Sequence, residues 1–355
     1  MKRRTFVKQS AAGVLTMGLP FFPIMPRGFE ETRFGAAEAT FMLRRYRKMN
    51  SAKYPEYANE LEMIDHFSSL GFSGAQLTMH SLDSKLAKKI LKRRSELIFF
   101  VEGQIKLPKD KSDVARFEQH VQETKSMEVE IISTVCLSGR RYENFQSKEA
   151  FQNFKMASEK SLALAEPIMR KHKMRLAVEN HKDWRVEEFL EILKTIDSEW
   201  VGVTLDTGNN ISLLEDPIEV VKSLTPYAFT VHLKDMAVEE YEDGFLMSEV
   251  NLGDGFLDIE NMIFEIHKHN PDICFNLEMI TRDPLKVPCL TEDYWATFEK
   301  ISATELAIFL RKIKEYKSKE ALPRISEMSA DEQLALEIKN NRTSVLYAKE
   351  NYGFS

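Results

Sequence analysis

Residues 201–235 read VGVTLDTGNNISLLEDPIEVVKSLTPYAFTVHLKD. An apolar run closes on Asp206, and a second apolar run carries His232. Residues 217–224 between them read as a helix. Short β-rich runs on either side of a helix describe a strand–helix–strand unit of a parallel sheet.

The same alternation extends in both directions. Upstream lie MRLAVEN (174–180), VEIISTVCL (129–137), LIFFVEG (97–103) and GAQLTM (74–79), with a first strand expected over 38–43. Downstream lies ICFNLEM (273–279). Helical spacing marks residues 61–70, 113–127, 148–171, 186–196 and 259–269, and 292–316 reads as the last helix of the series. Eight such units predict a closed α/β architecture, a (β/α)₈ TIM barrel, rather than an open sheet. A barrel needs about 250 residues, so the 355-residue chain divides into a leader and linker over 1–33, a barrel over 34–316 and a charged, helical C-terminal extension over 317–355 that lies at the surface.

The leader, MKRRTFVKQSAAGVLTMGLPFFP, pairs Arg3 and Arg4 with a short apolar stretch. It resembles a twin-arginine export signal, which implies an exported, periplasmic protein that crosses already folded. The apolar stretch falls short of the roughly 20 residues of a membrane span. The three cysteines form no disulfide framework, and Cys136 and Cys274 sit in strand-like runs as small core residues. A net charge of −6 offers no basic face for nucleic acid.

Four successive strands end in chemistry-bearing side chains: Glu179, Asp206, His232 and Glu278, spaced by 27, 26 and 46 residues. The first two spacings fit one barrel unit of roughly 30 residues. The third holds an insertion over 239–256 with the loop LGDG. Strand C-termini of a barrel converge on one mouth, so the four residues are expected to meet there. Three carboxylates and one imidazole make a hard, oxygen-rich set suited to one divalent metal ion, Mn²⁺, Mg²⁺ or Co²⁺, with Zn²⁺ also compatible. Burying three carboxylates together demands such a cation.

VENH, DTGN, HLKD, the GDG loop and the final LE together resemble the xylose isomerase-like barrel superfamily, in particular its sugar phosphate isomerase/epimerase type, over roughly residues 38–316. The resemblance implies a carbohydrate substrate and an isomerase or epimerase that removes a proton alpha to a carbonyl through a metal-stabilised enediolate. It implies Glu179 and Glu278 as the proton-moving pair, since the matching glutamates of ketose epimerases both bind metal and carry the proton. Members of the family often form homodimers. The chain departs from ketose epimerases at Asn209, where histidine is usual, and at Val238, where arginine is usual; both positions normally help hold substrate. His181, Asn209, Lys234 and Arg141 are therefore the expected substrate-binding residues. Asp235 is expected to orient a lysine or imidazole, and Glu102 and Gln104 to face the mouth. The same ligands would serve a lyase or hydrolase acting on a 3-keto sugar or glycoside. An endonuclease IV-like nuclease would need more histidines and a basic groove, and a non-catalytic sugar-binding protein would not need the glutamate pair.

Overall fold

The computed structural model describes residues 32–298 and 302–355. The twin-arginine leader lies outside the described residues apart from the end of its linker. No described helix is long and apolar enough to cross a membrane.

Eight parallel strands close a barrel: β1 Phe34–Ala37, β2 Gly74–Leu77, β3 Phe100–Gln104, β4 Ile131–Thr134, β5 Arg175–Glu179, β6 Val201–Asp206, β7 Ala228–Leu233 and β10 Phe275–Leu277, with β10 returning to β1. The first strand stands four residues ahead of its expected start. Glu38 ends it: its carboxylate leaves the sheet, accepts the Thr78 backbone N–H at 3.1 Å and pairs with Arg45. Helices Val186–Ile196 and Pro217–Leu224 have the expected bounds. Both are amphipathic, and their apolar faces (Phe189, Ile192 and Leu193; Val220, Val221 and Leu224) are buried.

The insertion after β7 is a hairpin, β8 Asp235–Tyr241 and β9 Gly244–Val250, widened to three strands by β11 Leu285–Val287. Asp235, expected to orient a lysine or imidazole, instead accepts the backbone N–H groups of Met236, Gly253, Gly255 and Leu257. It thereby folds the LGDG loop around its carboxylate. Gly255 is required there because a Cβ would lie 2.0 Å from Asp235 Oδ1.

The stretch expected as one last helix over 292–316 is two, Glu292–Trp295 and Ala303–Tyr316, and the second packs on β8. The C-terminal extension is present as helix Ala330–Tyr352, started by a Ser329–Glu332 capping box and ended by Gly353 at φ 66°. It does not lie loose at the surface. It packs on the segment Glu38–Arg45 and on helix Glu60–Leu70, taking the place of an eighth outer helix. Phe354 beyond it seals the base against Phe34 and Phe275, both at 5.1 Å between ring centroids.

Candidate metal centre

Sequence decides which barrel side chains face inward, because neighbours along a strand alternate sides. The interior below the mouth is polar. Glu102, expected to face the mouth, lies inside the barrel, where Gln76, Thr230 and Asn276 donate to its Oε2 at 3.1, 2.8 and 2.9 Å. Burial outweighs those bonds and raises its pKa. Gln104 donates to Gln76 Oε1 at 3.0 Å, so it too serves this interior network.

The network ends at the candidate site. Gln76 Oε1 lies 2.9 Å from His232 Nε2 and fixes that nitrogen as the N–H donor. His232 Nδ1 then faces the mouth, where it is buried and has no hydrogen-bond partner. Around it stand Glu179 Oε2 at 3.6 Å and Glu278 Oε1 at 3.7 Å. Asp206 uses Oδ1 to accept the N–H groups of Gly208 and Asn209 at 2.9 and 2.7 Å, which aims Oδ2 inward. Asp206 Oδ2 receives no hydrogen bond, although the Lys234 ammonium comes within 2.7 Å. All four residues are buried, and one ligand atom from each lies within 4.8 Å of the others. A buried imidazole nitrogen without a hydrogen bond, beside three carboxylates that share one ammonium, is what a cation would satisfy, so the residues fit a divalent ion.

The charges agree. Burial opposes the imidazolium of His232, but Glu278, Glu179 and Asp206 outweigh it and push its pKa up to about 9. Burial raises Asp206 to about 6 against the pull of Lys234. Glu278 stays well below the usual carboxylate range because Lys234 and then His232 outweigh burial. Without metal, three carboxylates face one ammonium and one imidazolium, leaving one negative charge. Exchanging the imidazole proton for a divalent ion brings the sum to zero.

Lys234, expected to hold substrate, is paired with Asp206 and Glu278. Asn209 also lies in the centre: Nδ2 donates to Glu179 Oε1 at 2.9 Å, and Oδ1 accepts from Lys182 and Lys234. It positions a ligand rather than standing free. His181 sits at the half-buried rim with Nδ1 3.2 Å from the Gly139 carbonyl; burial and then Lys182 push its pKa down to about 4, keeping it neutral. Val238 is buried in the hairpin.

Arg141, expected to hold substrate, is buried. Its guanidinium donates to Thr297 Oγ1 and carbonyl at 2.9 and 2.8 Å and to Glu188 at 2.7 Å, between the rings of Phe151 and Phe298. It ties the loop after β4 to the helix after β5. Arg141→Met is expected to destabilise the fold by about 3 kcal/mol, leaving Glu188 with the Arg185 backbone N–H but no counter-charge. Urea unfolding measures this, and metal affinity per folded molecule should be unchanged.

Three participants escaped the sequence reading: Gln76, Lys182 and the buried pair Glu249–Arg282. The first two had a signal, being polar residues inside or directly after apolar strands. A second group, His80, His120 and Glu123, also clusters. Its two imidazoles stack with centroids 3.8 Å apart and planes 9° from parallel. Rings so stacked cannot both aim in-plane lone pairs at one ion. The cavity of about 560 Å³ between helices Val186–Ile196 and Pro217–Leu224 holds none of the four ligands. A cavity of about 430 Å³ is lined by Arg140 and Arg282, which follow β4 and β10 on the mouth side.

A model of the xylose isomerase-like TIM barrel family matches residues 65–311. The 3-oxo-isoapionate decarboxylase of Pectobacterium atrosepticum is 28% identical over 133 residues, 36% of this chain; the match spans about half, 48%, of that enzyme's length. Among solved structures, a D-psicose 3-epimerase crystallised in the presence of D-fructose superposes with a TM-score of 0.58 at 13% identity, covering 90% of this chain and 99% of its own. A xylose isomerase-like barrel protein of Mycobacterium smegmatis in complex with magnesium gives 0.54 at 13% identity, covering 79% and 98%. These two similarities are of fold.

Proposed function

We propose that this chain, which belongs to the xylose isomerase-like TIM barrel family, is a divalent-metal-dependent isomerase or epimerase of a sugar or sugar derivative. The observation that carries this reading is the glutamate pair. Glu179 and Glu278 come from strands separated by β6 and β7, yet both reach within 3.7 Å of one imidazole nitrogen. Their strands flank those of His232 and Asp206, one on each side, which suits a proton donor and a proton acceptor acting on opposite faces of a carbon.

Glu179, Asp206, His232 and Glu278 would hold the metal ion. When bound, a divalent cation supplies Lewis-acid stabilisation to an oxygen that gains charge as the neighbouring carbon loses its proton. Of the two glutamates, one takes the proton alpha to the carbonyl and the other returns one. Asn209 holds Glu179 through its amide N–H, and Gln76 holds the His232 tautomer.

The match to a decarboxylase favours a second reading, a lyase acting on a 3-keto sugar or its acid, in which the same carbanion chemistry breaks a bond. One experiment tests both. Mn²⁺-loaded protein is incubated in D₂O with ketoses, 3-keto glycosides and 3-keto sugar acids. The first reading expects metal-dependent deuterium at a carbon adjacent to the carbonyl with the skeleton intact. Loss of CO₂ or of a leaving group selects the second. Absence of metal-dependent exchange or cleavage on the whole set counts against both.

A further inference from the structure

A buried charge needs a counter-charge, and the mouth of this barrel holds two cations whose partners are incomplete. Lys182 is buried, and the single hydrogen bond of its ammonium goes to a neutral atom, Asn209 Oδ1. By contrast, Lys234 next to it has two carboxylates. Burial, then Lys234 and Arg282, push Lys182 down to about 8, so the ammonium sits where its charge is disfavoured. Arg140 pairs through one terminal nitrogen with Glu143, while its Nε is buried and has no partner. The backbone joins these two residues, because Arg140 and Lys182 form a parallel bridge between the loops after β4 and β5. Bridged residues send their side chains to the same side of the pair. Arg140 lines the cavity of about 430 Å³ with Arg47, Arg282, Ser326 and Gln333, three cations against one carboxylate, Asp283, whose Oδ1 accepts the Ile325 and Ser326 backbone N–H groups. Arg282 links that cavity to the centre: it lies four residues beyond Glu278, and burial of its charge is outweighed by Glu249 and, more weakly, by Glu278. The cavity has the size of a small-molecule site.

We infer that Arg140 and Lys182 form a subsite for an anionic group of the substrate, a carboxylate or phosphate, beside the metal centre. This rests on the proposed reading of that centre and narrows its substrate to acidic sugars. A neutral ketose would leave Lys182 without a counter-charge, whereas an acid brings one. Glu249 is unavailable for this purpose, because both of its oxygens are held by Arg282.

The test uses three polyols that differ only at C1: D-sorbitol, D-gluconate and D-sorbitol 1-phosphate. Each is titrated calorimetrically into Mn²⁺-loaded wild type, Arg140→Met and Lys182→Met. At least one anion is expected to bind wild type about tenfold or more tighter than sorbitol, the scale of one charged hydrogen bond. The preferred anion tells carboxylate from phosphate. Each variant should lose most of that preference, and Arg140→Met, which touches none of the four metal-site residues, should keep the wild-type sorbitol and Mn²⁺ affinities. Equal binding of all three polyols, or a preference intact in both variants, overturns the subsite. Mn²⁺ affinity is measured separately, and anion-dependent shifts of the thermal midpoint are read on the metal-free protein. Failure of metal binding therefore sinks the reading of the centre alone, and loss of anion preference sinks the subsite alone. If Lys182→Met does not fold, Arg140→Met decides.

Discussion

Glu179→Gln and Glu278→Gln are each expected to lower turnover by about 10²–10⁴-fold, the loss that follows removal of a positioned general acid or base. Glutamine keeps the size of the side chain and one oxygen for a cation, but it cannot accept a carbon-bound proton. The folds should survive. The Glu179 site can still receive the Asn209 amide on its remaining oxygen, and Glu278 lies at the barrel mouth, where side chains serve function more than core packing. The variants are not equivalent in the metal-free protein. Glu278→Gln removes a carboxylate from Lys234, leaving that ammonium to Asp206 alone, so its metal-free stability should fall more than that of Glu179→Gln. Deuterium exchange from D₂O at saturating Mn²⁺ is the decisive measurement. Near-normal exchange in both variants, with metal bound, would remove the glutamate pair from the mechanism.

The four ligands were legible because barrel topology converts a one-dimensional pattern into a place. An acid or histidine at the end of an apolar strand can go only to the mouth, and four of them on successive strands can go only to one point. What supports them was less legible, for identifiable reasons. Arg141 reads as a polar residue at the mouth free to hold substrate, and only Phe151, Phe298 and Thr297, up to 157 positions away, make it a buried tie. Helix Ala330–Tyr352 hides its buried face behind Glu337, Asn341 and Ser344, so no apolar stripe marks it as a packed element. The first strand was displaced because Phe34–Ala37 is short and small, and the apolar residues after Glu38 belong to a turn of helix. The hairpin is hidden because its strands, DMAVEEY and GFLMSEV, cluster their apolar residues instead of alternating them.

Metal affinity is expected to rise with pH, by about tenfold per unit as one proton is displaced, and to level off above pH 9. The displaced proton is that of His232, whose pKa the three carboxylates raise to about 9 against the cost of burial. Nδ1 is the nitrogen that faces the ligand set, and Gln76 holds the other nitrogen protonated, so proton and metal compete for one atom. The same shift fixes the sign for stability. A pKa higher in the fold than the ordinary 6.5 means that protonation favours the folded state. That contribution is complete below pH 6.5 and is lost as pH climbs to about 9. The metal-free protein should therefore unfold at progressively lower urea concentration across this window, while the Mn²⁺-loaded protein, in which the cation replaces the proton, should not. Calorimetric titration of Mn²⁺ at pH 7 in buffers of different ionisation enthalpy counts the protons released. About one per ion is expected, falling towards none at pH 10. A count near zero at pH 7, or an affinity that does not change between pH 7 and 9, would show that His232 enters the site already neutral, and the charge balance drawn for the centre would be wrong.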